Sequence, residues 1–267
     1  MSLRDRIAPL LKGKVADDLE TLTHFSRDTS IFERRPEVVV SPENAADVTK
    51  LVHFVHDARA KGERISLTGR SAGTDMSGGP LTDSIVVSFT KNMNRMIEIG
   101  PDYAIVEPGM YYRDFEERTL EARDMILPSY PASREICAMG GIISNNSGGE
   151  LTLRYGKTEK YVEEVSVVLS DGSEATFKKL TKKELHEKMH EATFEGEIYR
   201  KMHALLDKHY AEIQKARPKV SKNSAGYALW DVWNPDTDEM DLSKLIVGSQ
   251  GTLGMLTKAK INLVKRK

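Results

Sequence analysis

The sequence predicts an α+β fold. Three observations lead to this prediction. The predicted strands outnumber the helices that could connect parallel strands, two strands form a hairpin around Asp171-Gly172, and the 267 residues are 39% hydrophobic and 30% charged. This composition is typical of a globular domain with a substantial core. The hairpin argues against a regular doubly wound sheet.

Hydrophobic spacing predicts the elements of the N-terminal half. A helix followed by a turn is expected in the first thirty residues, where one face carries Val15, Leu19 and Leu22. Ser41 and Pro42 are good residues for a helix start, and Gly62 for its end. The apolar stripe of that helix is Ala45, Val48, Leu51, Val52 and Val55. Strands are expected at residues 38–40, 65–67, 85–89 and 104–106.

In the C-terminal half, a helix is expected over residues 112–123, followed by a stretch rich in Gly, Ser, Asn and Pro over residues 127–156. Residues 165–169 and 175–177 read as a hairpin with a type I′ turn at Asp171-Gly172. Two charged helices are expected at residues 182–192 and 196–216. The last strands are expected at residues 245–247 and 255–263.

Charge and cysteine content exclude several classes of protein. The 39 basic and 40 acidic side chains give a net charge of −1, which favours neither nucleic acid nor an anionic membrane as partner. The single cysteine, Cys137, excludes an internal disulfide framework and any metal site built from several cysteines of this chain; we expect it to be a small, partly buried residue. No apolar run approaches the ~20 residues of a membrane span. The N-terminus lacks the apolar region of a secretory signal, so a cytoplasmic location is expected.

Three glycine-rich loops are the main candidates for function. The first loop covers residues 69–79, the second residues 131–149 and the third residues 248–254. Successive backbone N–H groups in such loops form concavities that bind anions, and a pyrophosphate is the natural guest. Each loop alone could equally be a surface turn, a long structural loop or a strand connection. A stretch as long as the second loop is usually functional or disordered, and its apolar residues argue against disorder.

Together, and in this order, the loops resemble the FAD domain of the vanillyl-alcohol oxidase and para-cresol methylhydroxylase superfamily. The similarity is strongest to the FAD subunits of glycolate oxidase and to D-lactate dehydrogenase. The segments that carry it are Arg70 to Gly79, Pro131-Ala132-Ser133, Gly140-Gly141, Asn146 to Gly149 and Gly248 to Gly254. At position 250, Gln replaces the usual Glu. The resemblance covers residues 26 to 263 and implies a two-lobed domain, with a small mixed sheet and a larger, mostly antiparallel sheet with helices.

The resemblance also implies a non-covalent FAD site, because relatives that attach flavin in the first loop use a histidine and residues 69–79 contain none. The first and second loops would hold the pyrophosphate and ribityl regions of FAD. Residues 145–148 and 250–256 would complete the cofactor-binding site. The implied cofactor-binding residues are Gly69, Arg70, Ser71, Ala72, Gly73, Thr74, Asp75, Pro131, Ala132, Ser133, Cys137, Ala138, Met139, Gly140, Gly141, Asn145, Asn146, Ser147, Gly148, Gln250, Gly251, Thr252, Leu253, Gly254, Met255 and Leu256.

The domain organisation follows from the same resemblance. Residues 1–35 are expected to be a helical extension, and residues 36–267 the FAD-binding domain, with lobes of about 36–98 and 99–267. The implied reaction is hydride transfer from a 2-hydroxy acid, of the D-lactate or glycolate type, to FAD. In the family, a C-terminal substrate domain supplies substrate-binding Arg and His residues; we expect that domain to be absent from this chain, so no catalytic residue is named. Either the chain is a fragment, or it pairs with a partner that supplies the substrate domain, or it is a stand-alone flavin module. The alternative function is a non-catalytic flavin-binding subunit that needs such a partner chain. An electron acceptor would also be required.

The remaining motifs do not predict a second functional site. His186 and His190 match the zinc-protease pattern H-E-x-x-H, but charged residues surround them, and no metal site is expected. His53 and His56 share a helix without a third ligand. Gly156-Lys157-Thr158 resembles the end of a P-loop, but the glycine required five residues earlier is Leu151. The chain also lacks the G-x-G-x-x-G pattern of a Rossmann NAD site. The aromatic residues Tyr227, Trp230 and Trp233 are expected in the core, or alternatively at a flavin or substrate pocket.

Overall fold

The computed structural model describes residues 1–220 and 223–266. The strands are β1 (Lys14–Ala16), β2 (Val38–Ser41), β3 (Leu67–Arg70), β4 (Ile85–Ser88), β5 (Met96–Ile99), β6 (Tyr103–Val106), β7 (Met125–Ile126), β8 (Val162–Val168), β9 (Glu174–Leu180), β10 (Trp233–Asn234), β11 (Glu239–Asp241), β12 (Met255–Asn262) and β13 (Val264–Lys265). The α-helices are α1 (Leu3–Ile7), α2 (Leu19–Phe25), α3 (Ala45–Ala60), α4 (Tyr112–Arg123), α5 (Met139–Ser144), α6 (Thr152–Tyr155), α7 (Lys182–His190), α8 (Phe194–Lys208), α9 (Tyr210–Ala216) and α10 (Ser243–Ile246).

A small mixed sheet is built from the first part of the chain, as the resemblance implies. Its strand order is β1-β2-β4-β3, in which β2, β4 and β3 are parallel and β1 is antiparallel. Strands β2 and β4 are buried throughout, which fits their runs of valine and isoleucine. Helix α3 contributes Val48, Leu51 and Val55 to the core on one face of this sheet. Because β3 and β4 are parallel, the chain leaves both strands at the same edge of the sheet.

The larger sheet is antiparallel throughout, again as implied. Its order is β10-β11-β9-β8-β12-β6-β5, and β12 lies inside it, paired with β8 on one side and β6 on the other. Helices α4 and α8 contribute buried aromatic residues to its core, among them Phe115 and Tyr199. Met255, at the start of β12, and Val168, at the end of β8, belong to the core of the small sheet instead. Strands β8 and β12 therefore connect the two cores.

Helix α3 begins three residues later than the sequence suggested. Ser41 is the last residue of β2, where it pairs with Lys14 of β1, and this pairing keeps its backbone extended. Asn44 is the N-cap, and its side chain accepts a hydrogen bond from the N–H of Asp47. The carboxylate of Asp47 in turn accepts bonds from the N–H groups of Lys12, Gly13 and Glu43, at 3.0, 2.8 and 3.0 Å. One buried carboxylate thus joins the helix start to the N-terminal segment.

The predicted hairpin is confirmed as β8 and β9, but the predicted type I′ turn is wrong. The loop contains three residues, Ser170 to Gly172, because Leu169 and Ser173 are hydrogen-bonded to each other at 2.9 Å. A type I′ turn needs positive φ at both central residues, whereas only Gly172 has it, at 85°. This geometry is a type I turn followed by a glycine bulge.

Four further predictions are corrected. The prediction of a single N-terminal helix is wrong, because Val15 lies in β1 and Leu19, which begins α2, is 67% exposed. The strand expected at Leu245–Val247 lies mostly in helix α10, since a three-residue apolar run does not distinguish the two structures. The helix expected at 196–216 is two helices that meet at His209. The loop-rich stretch 127–156 contains helices α5 and α6.

The expected domain boundaries can be compared with these elements. Residues 1–35 contain helices α1 and α2, but they also supply β1 to the small sheet. The expected division between residues 98 and 99 falls within β5, which belongs to the larger sheet. Residues 221, 222 and 267 of the expected second lobe lie outside the described residues. Within the described chain, no helix has the length and apolar character to cross a membrane.

Candidate functional site

The three glycine-rich loops converge on one cleft of about 680 Å³. The first loop reaches it from the end of β3, the second surrounds the N-terminus of α5, and the third leads into β12. The volume lies within the range of about 300–1,000 Å³ that is typical of small-molecule and cofactor sites. Glycine backbone forms part of the wall. A Cβ on Gly251 would meet no atom within 4 Å, and one on Gly141 only the Ser71 Cβ at 3.8 Å, so a ligand can approach this backbone closely.

Most residues that the sequence singled out line this cleft. They are Gly69, Arg70, Ser71, Ala72, Gly73, Thr74, Asp75, Pro131, Ala132, Ser133, Cys137, Ala138, Gly140, Gly141, Asn145, Ser147, Gln250, Gly251, Gly254, Met255 and Leu256. The others do not line it: Met139, Asn146, Gly148, Thr252 and Leu253. Met139 is fully buried in the core, whereas Thr252 and Leu253 are exposed.

The cleft also has walls that sequence reasoning missed. They are Thr29, Met76, Ser77, Gly79, Pro80, Phe89, Pro108, Ile136, Ile142 and Ser144. Several of them lie inside the predicted loops and could have been included with their neighbours. Thr29, Phe89 and Pro108 come from separate parts of the chain and carry no local signal, because only the tertiary fold brings them to the cleft.

The first loop is held from two sides. Behind it, the Arg70 guanidinium donates to the carbonyl oxygens of Phe25 and Arg27, at 3.2 and 2.8 Å. In front, the Ser71 hydroxyl donates to the Pro108 carbonyl at 2.7 Å. The same carbonyl accepts the N–H of Gly140 at 2.8 Å. The Pro108 carbonyl is therefore the point at which the first and second loops are joined.

A buried polar network holds the start of the second loop. The Tyr112 hydroxyl donates to the Leu127 carbonyl at 2.8 Å and contacts Glu116, which also accepts a bond from Arg134. The Arg134 guanidinium lies 4.6 Å from the ring centroid of Tyr130, whose hydroxyl donates to Glu150 at 2.7 Å. Burial, with Glu116 adding to it, raises the pKa of Tyr112, so its hydroxyl stays a donor. These contacts set the position of residues 131–134.

Glu159 joins the second loop to the segment that leads into the third. Its carboxylate accepts hydrogen bonds from the Asn146 side chain and from Lys157, the latter at 3.0 Å. Its N–H donates to the Asn146 Oδ1 at 3.0 Å, and its carbonyl accepts from Lys244 of α10 at 2.5 Å. Asn146 is 5% exposed and has a φ of 47°, an unfavourable backbone conformation that these bonds support.

The third loop is bonded directly to the second. The N–H of Gln250 donates to the Ser144 carbonyl at 2.9 Å, and its side-chain amide donates to the Asn145 Oδ1 at 3.1 Å. Asn145 continues the chain of bonds to the Ser147 hydroxyl at 3.1 Å. An amide at position 250 thus donates where a carboxylate could only accept.

Replacement of Glu159 by alanine is expected to destabilise the fold by roughly 1–3 kcal/mol, because it leaves the buried Asn146 amide without its carboxylate acceptor. Thermal unfolding followed by circular dichroism measures the effect. The matched control is Glu163→Ala, which removes a surface pair with Lys260 whose side chains are 43% and 22% exposed. The control should change stability by less than about 1 kcal/mol. Equal effects of the two substitutions would contradict the role given to Glu159.

The cleft wall carries little charge. Among the described residues that line it, only Arg70 and Asp75 are charged, and none is a histidine, lysine or tyrosine. The Asp75 carboxylate accepts bonds from the N–H and hydroxyl of Ser77, so it is engaged within its own loop. The wall therefore offers backbone N–H groups, hydroxyls, amides and apolar surface. This set can hold a long ligand with planar and anionic parts, but it contains no obvious general base.

Cys137, the only cysteine of the chain, lines the cleft and is 3% exposed, as expected for a small buried residue. Burial raises the pKa of its thiol to about 11, and a hydrogen bond with Ser133 offsets this only in part. The thiol is therefore protonated at neutral pH, which makes it a poor nucleophile.

Alkylation of Cys137 by iodoacetamide at pH 8 should be at least about 100-fold slower in the folded chain than in denaturant, because so little of the thiol is ionised. Mass spectrometry of the intact protein over time measures the rate, and the absence of a second cysteine makes it unambiguous. The folded-state rate should keep rising with pH beyond the ordinary thiol pKa, towards 11. A folded-state rate close to that of the denatured protein would contradict the pKa shift.

The other motifs lie apart from the cleft wall. His186 and His190 are exposed on α7 with ring centroids 4.3 Å apart, and the described residues contain no group of three or more candidate metal ligands. Tyr227 is 43% exposed and bonds to Thr252 of the third loop at 2.7 Å, so it is not a core residue. Trp233 packs against His203 and Tyr210. Trp230 lines a separate, smaller cavity.

Comparison with known proteins gives a family match. The family model described as "FAD binding domain" matches residues 36–178. Over 256 residues, the chain is 30% identical to D-2-hydroxyglutarate dehydrogenase of Escherichia coli K12, covering 95% of this chain and 25% of that protein. It is 28% identical to the glycolate oxidase subunit GlcD of Bacillus subtilis, and the match covers 89% of this chain and 39% of that protein. It is 26% identical to D-lactate dehydrogenase of Archaeoglobus fulgidus, and the match covers 85% of this chain and 38% of that protein.

Among solved structures, an alkyldihydroxyacetonephosphate synthase is similar, with a TM-score of 0.62 and 15% identity. The match covers 94% of this chain and 38% of that one, and at this identity it supports the fold alone. The chain thus spans about a quarter to two fifths of the length of these relatives.

Proposed function

The chain belongs to the FAD binding domain family, and from that membership we propose that it is the cofactor domain of an oxidoreductase that oxidises a 2-hydroxy acid. The observation that carries the proposal is the convergence of the three loops on one cleft of suitable size. The relatives are named for D-2-hydroxyglutarate, D-lactate and glycolate, which are all 2-hydroxy acids. When bound, FAD would accept a hydride from the carbon that bears the hydroxyl.

The residues fit this cofactor. We propose that FAD is held by the residues of the three loops that line the cleft, with its diphosphate on the first loop and around Ala138 to Gly141. Backbone N–H groups and the hydroxyls of Thr74 and Ser133 are suitable donors for phosphate and ribityl oxygens. The Ser71 hydroxyl instead donates to the Pro108 carbonyl. Gly141 and Gly251 have open space around their backbone and would let the ligand approach it closely. Met139, Asn146, Gly148, Thr252 and Leu253 would act from outside the cleft wall.

We propose that the flavin is held without a covalent bond. The described lining residues include no histidine or tyrosine, and the Cys137 thiol is protonated at neutral pH. Acid precipitation of the loaded protein should therefore release the flavin into the supernatant, where its absorbance can be measured. Flavin that stays with the precipitated chain would contradict this part of the proposal.

The substrate itself needs groups that this cleft wall does not offer. A 2-hydroxy acid carries a carboxylate, and Arg70, the cation of the wall, is 6% exposed and bonded to backbone carbonyls. We propose that the substrate-binding cation and the base come from a further domain or from a partner subunit. An external electron acceptor would complete the reaction. The lobe division of about 36–98 and 99–267, with residues 1–35 as an extension, remains part of this proposal.

The second candidate function, favoured by the near absence of charge from the cleft, is a non-catalytic flavin-binding subunit that needs a partner chain. Addition of FAD, removal of the unbound cofactor and the visible spectrum of the protein test cofactor binding: a chain that retains no flavin would rule out both candidates. Anaerobic addition of D-lactate, glycolate or D-2-hydroxyglutarate then tests catalysis. Bleaching of the flavin by the isolated chain would refute the non-catalytic candidate, whereas both candidates predict an unchanged spectrum as long as the substrate-binding groups of a further domain or partner are missing. The single cysteine suits a reducing compartment such as the cytoplasm, which we include in the proposal.

A further inference from the structure

Arg70 holds an unusual place in the cleft wall. Among the described residues that line the cleft, Arg70 is the only one with a positively charged side chain, and it is 6% exposed. Its guanidinium donates to the carbonyl oxygens of Phe25 and Arg27 and lies 5.0 Å from the ring centroid of Phe25. Buried arginines are usually paired with a carboxylate. Arg70 makes no salt bridge with any described residue, although Asp28 acts on it at longer range.

The guanidinium lies directly behind the first loop. A Cβ placed on Gly73 would be 2.5 Å from Nη2 and 2.7 Å from Nε of Arg70. Gly73 has a φ of 70°, so any other residue there would be strained as well as too close to the guanidinium. The loop backbone thus passes over the positive charge with no side chain between them. The opposite side of that backbone is where we place the FAD diphosphate.

Burial makes this charge effective. Partial burial lowers the effective dielectric constant, which strengthens the interaction of a charge with a nearby anion and weakens its screening by salt. The two backbone carbonyls and the Phe25 ring offset part of the cost of burying the guanidinium. These neutral groups do not cancel its net charge, and the Asp28 carboxylate, which acts on Arg70 at longer range, offsets only part of it. A dianionic diphosphate on the first loop would therefore find a fixed positive charge one backbone layer away.

We propose that Arg70 is a positioning residue for the cofactor: its buried charge attracts the FAD diphosphate through the first loop, from behind Gly73. The inference rests on the proposed location of FAD in this cleft and adds a role to one side chain there. It differs from a purely structural role, in which Arg70 would only join the first loop to residues 25–27. Substitution by lysine and by glutamine distinguishes the electrostatic role from the structural one. Both residues lose the pair of hydrogen bonds that the guanidinium makes to two carbonyls, and only lysine keeps the charge.

The test compares Arg70→Lys, Arg70→Gln and the wild-type chain in two measurements. FAD affinity is measured by titration of flavin fluorescence, and the stability of the apoprotein by thermal unfolding. Arg70→Gln should bind FAD about 10- to 100-fold more weakly, the range expected for a unit charge acting at an effective dielectric of about 20. Arg70→Lys should remain within about threefold of the wild type, since it keeps the charge. Both apoproteins should unfold at about the same temperature. Arg64→Gln, at an exposed position outside the cleft wall, controls for net charge.

Two results would overturn the inference: unchanged FAD affinity in Arg70→Gln, or equal weakening in Arg70→Gln and Arg70→Lys. If neither variant folds, the salt dependence of the wild type decides. A buried charge predicts less than about a threefold loss of affinity between 50 and 500 mM NaCl, and a loss of more than about tenfold would indicate an exposed contact. A wild-type chain that binds no FAD would overturn the proposed function and this inference together. FAD binding with any of the contrary results above overturns only the role of Arg70.

Discussion

Replacement of Asp47 by alanine is expected to destabilise the chain by about 3 kcal/mol, because three backbone N–H groups lose their common acceptor. The donors are Lys12, Gly13 and Glu43, and the residue is 1% exposed. For a chain of this size, the loss corresponds to a fall of roughly 10 °C in the unfolding midpoint. Asp57→Ala, at an exposed position of the same helix, is the control and should change the midpoint little. A midpoint for Asp47→Ala within 2 °C of the wild type would correspond to a loss of only ~0.5 kcal/mol. That result would refute this account.

The same carboxylate gives a pH dependence of known sign. Burial acts to raise the pKa of Asp47, but the three backbone hydrogen bonds together outweigh it, and the pKa is lowered from its ordinary value. The unfolded chain therefore takes up this proton first as the pH falls. The stabilisation is fully present above the ordinary pKa of about 3.9 and is lost below it, through the lower pKa of the folded state. Acid titration of stability should show a smaller decrease over this range in Asp47→Ala than in the wild type.

Replacement of Gly140 by alanine is expected to weaken FAD binding by at least about tenfold, or 1.4 kcal/mol, and to destabilise the apoprotein by about 1–3 kcal/mol. The new methyl group would lie 2.7 Å from the Pro108 Cβ and 2.7 Å from the Ser71 Oγ. These atoms belong to the point where the first and second loops are joined. The loops would have to separate, and a widened cleft holds its ligand less well. FAD titration and thermal unfolding measure the two effects.

The neighbouring glycine supplies the control. At Gly141 the added methyl would meet only the Ser71 Cβ, at 3.8 Å. Alanine is favoured over glycine in a helix by roughly 0.5–1 kcal/mol, so the Gly141→Ala apoprotein should be at least as stable as the wild type. Equal stability of Gly140→Ala and the wild type, with unchanged FAD affinity, would show that the close approach to Pro108 is not needed.

The sequence was informative where a local pattern decides the structure. Helix α4 begins and ends at the predicted residues, and the start and end of strands β4 and β12 were within one residue of prediction. It was less informative for short elements. The apolar run at Leu245 fits a strand or a helix equally well, and Val15 pairs in a sheet although its spacing suggested a helix. In these places distant contacts outweigh local preference.

The candidate site shows the same division. Glycine content marked the three loops, and the family match agrees with the cofactor that they indicated. Their convergence, however, is a tertiary fact, and so are the parts played by Pro108 and Glu159. Arg70 is the clearest example: the motif indicated a cofactor-binding residue and Arg70 does line the cleft, but only the structure shows that its guanidinium is bonded to the carbonyl oxygens of Phe25 and Arg27.

The position of β12 has a consequence for how the protein is made. Ribosomes release residues in chain order, and the small sheet is complete once residues 14–88 have emerged. The larger sheet must wait for residues 255–262, because β12 separates β8 from β6. Such long-range pairing is slow to form, and the unpaired strands are prone to aggregation in the meantime. The cofactor cleft, which needs Met255 and Leu256, is likewise absent until then. FAD should therefore load after β12 has been inserted, and low flavin supply should reduce the yield of folded protein rather than its rate of synthesis.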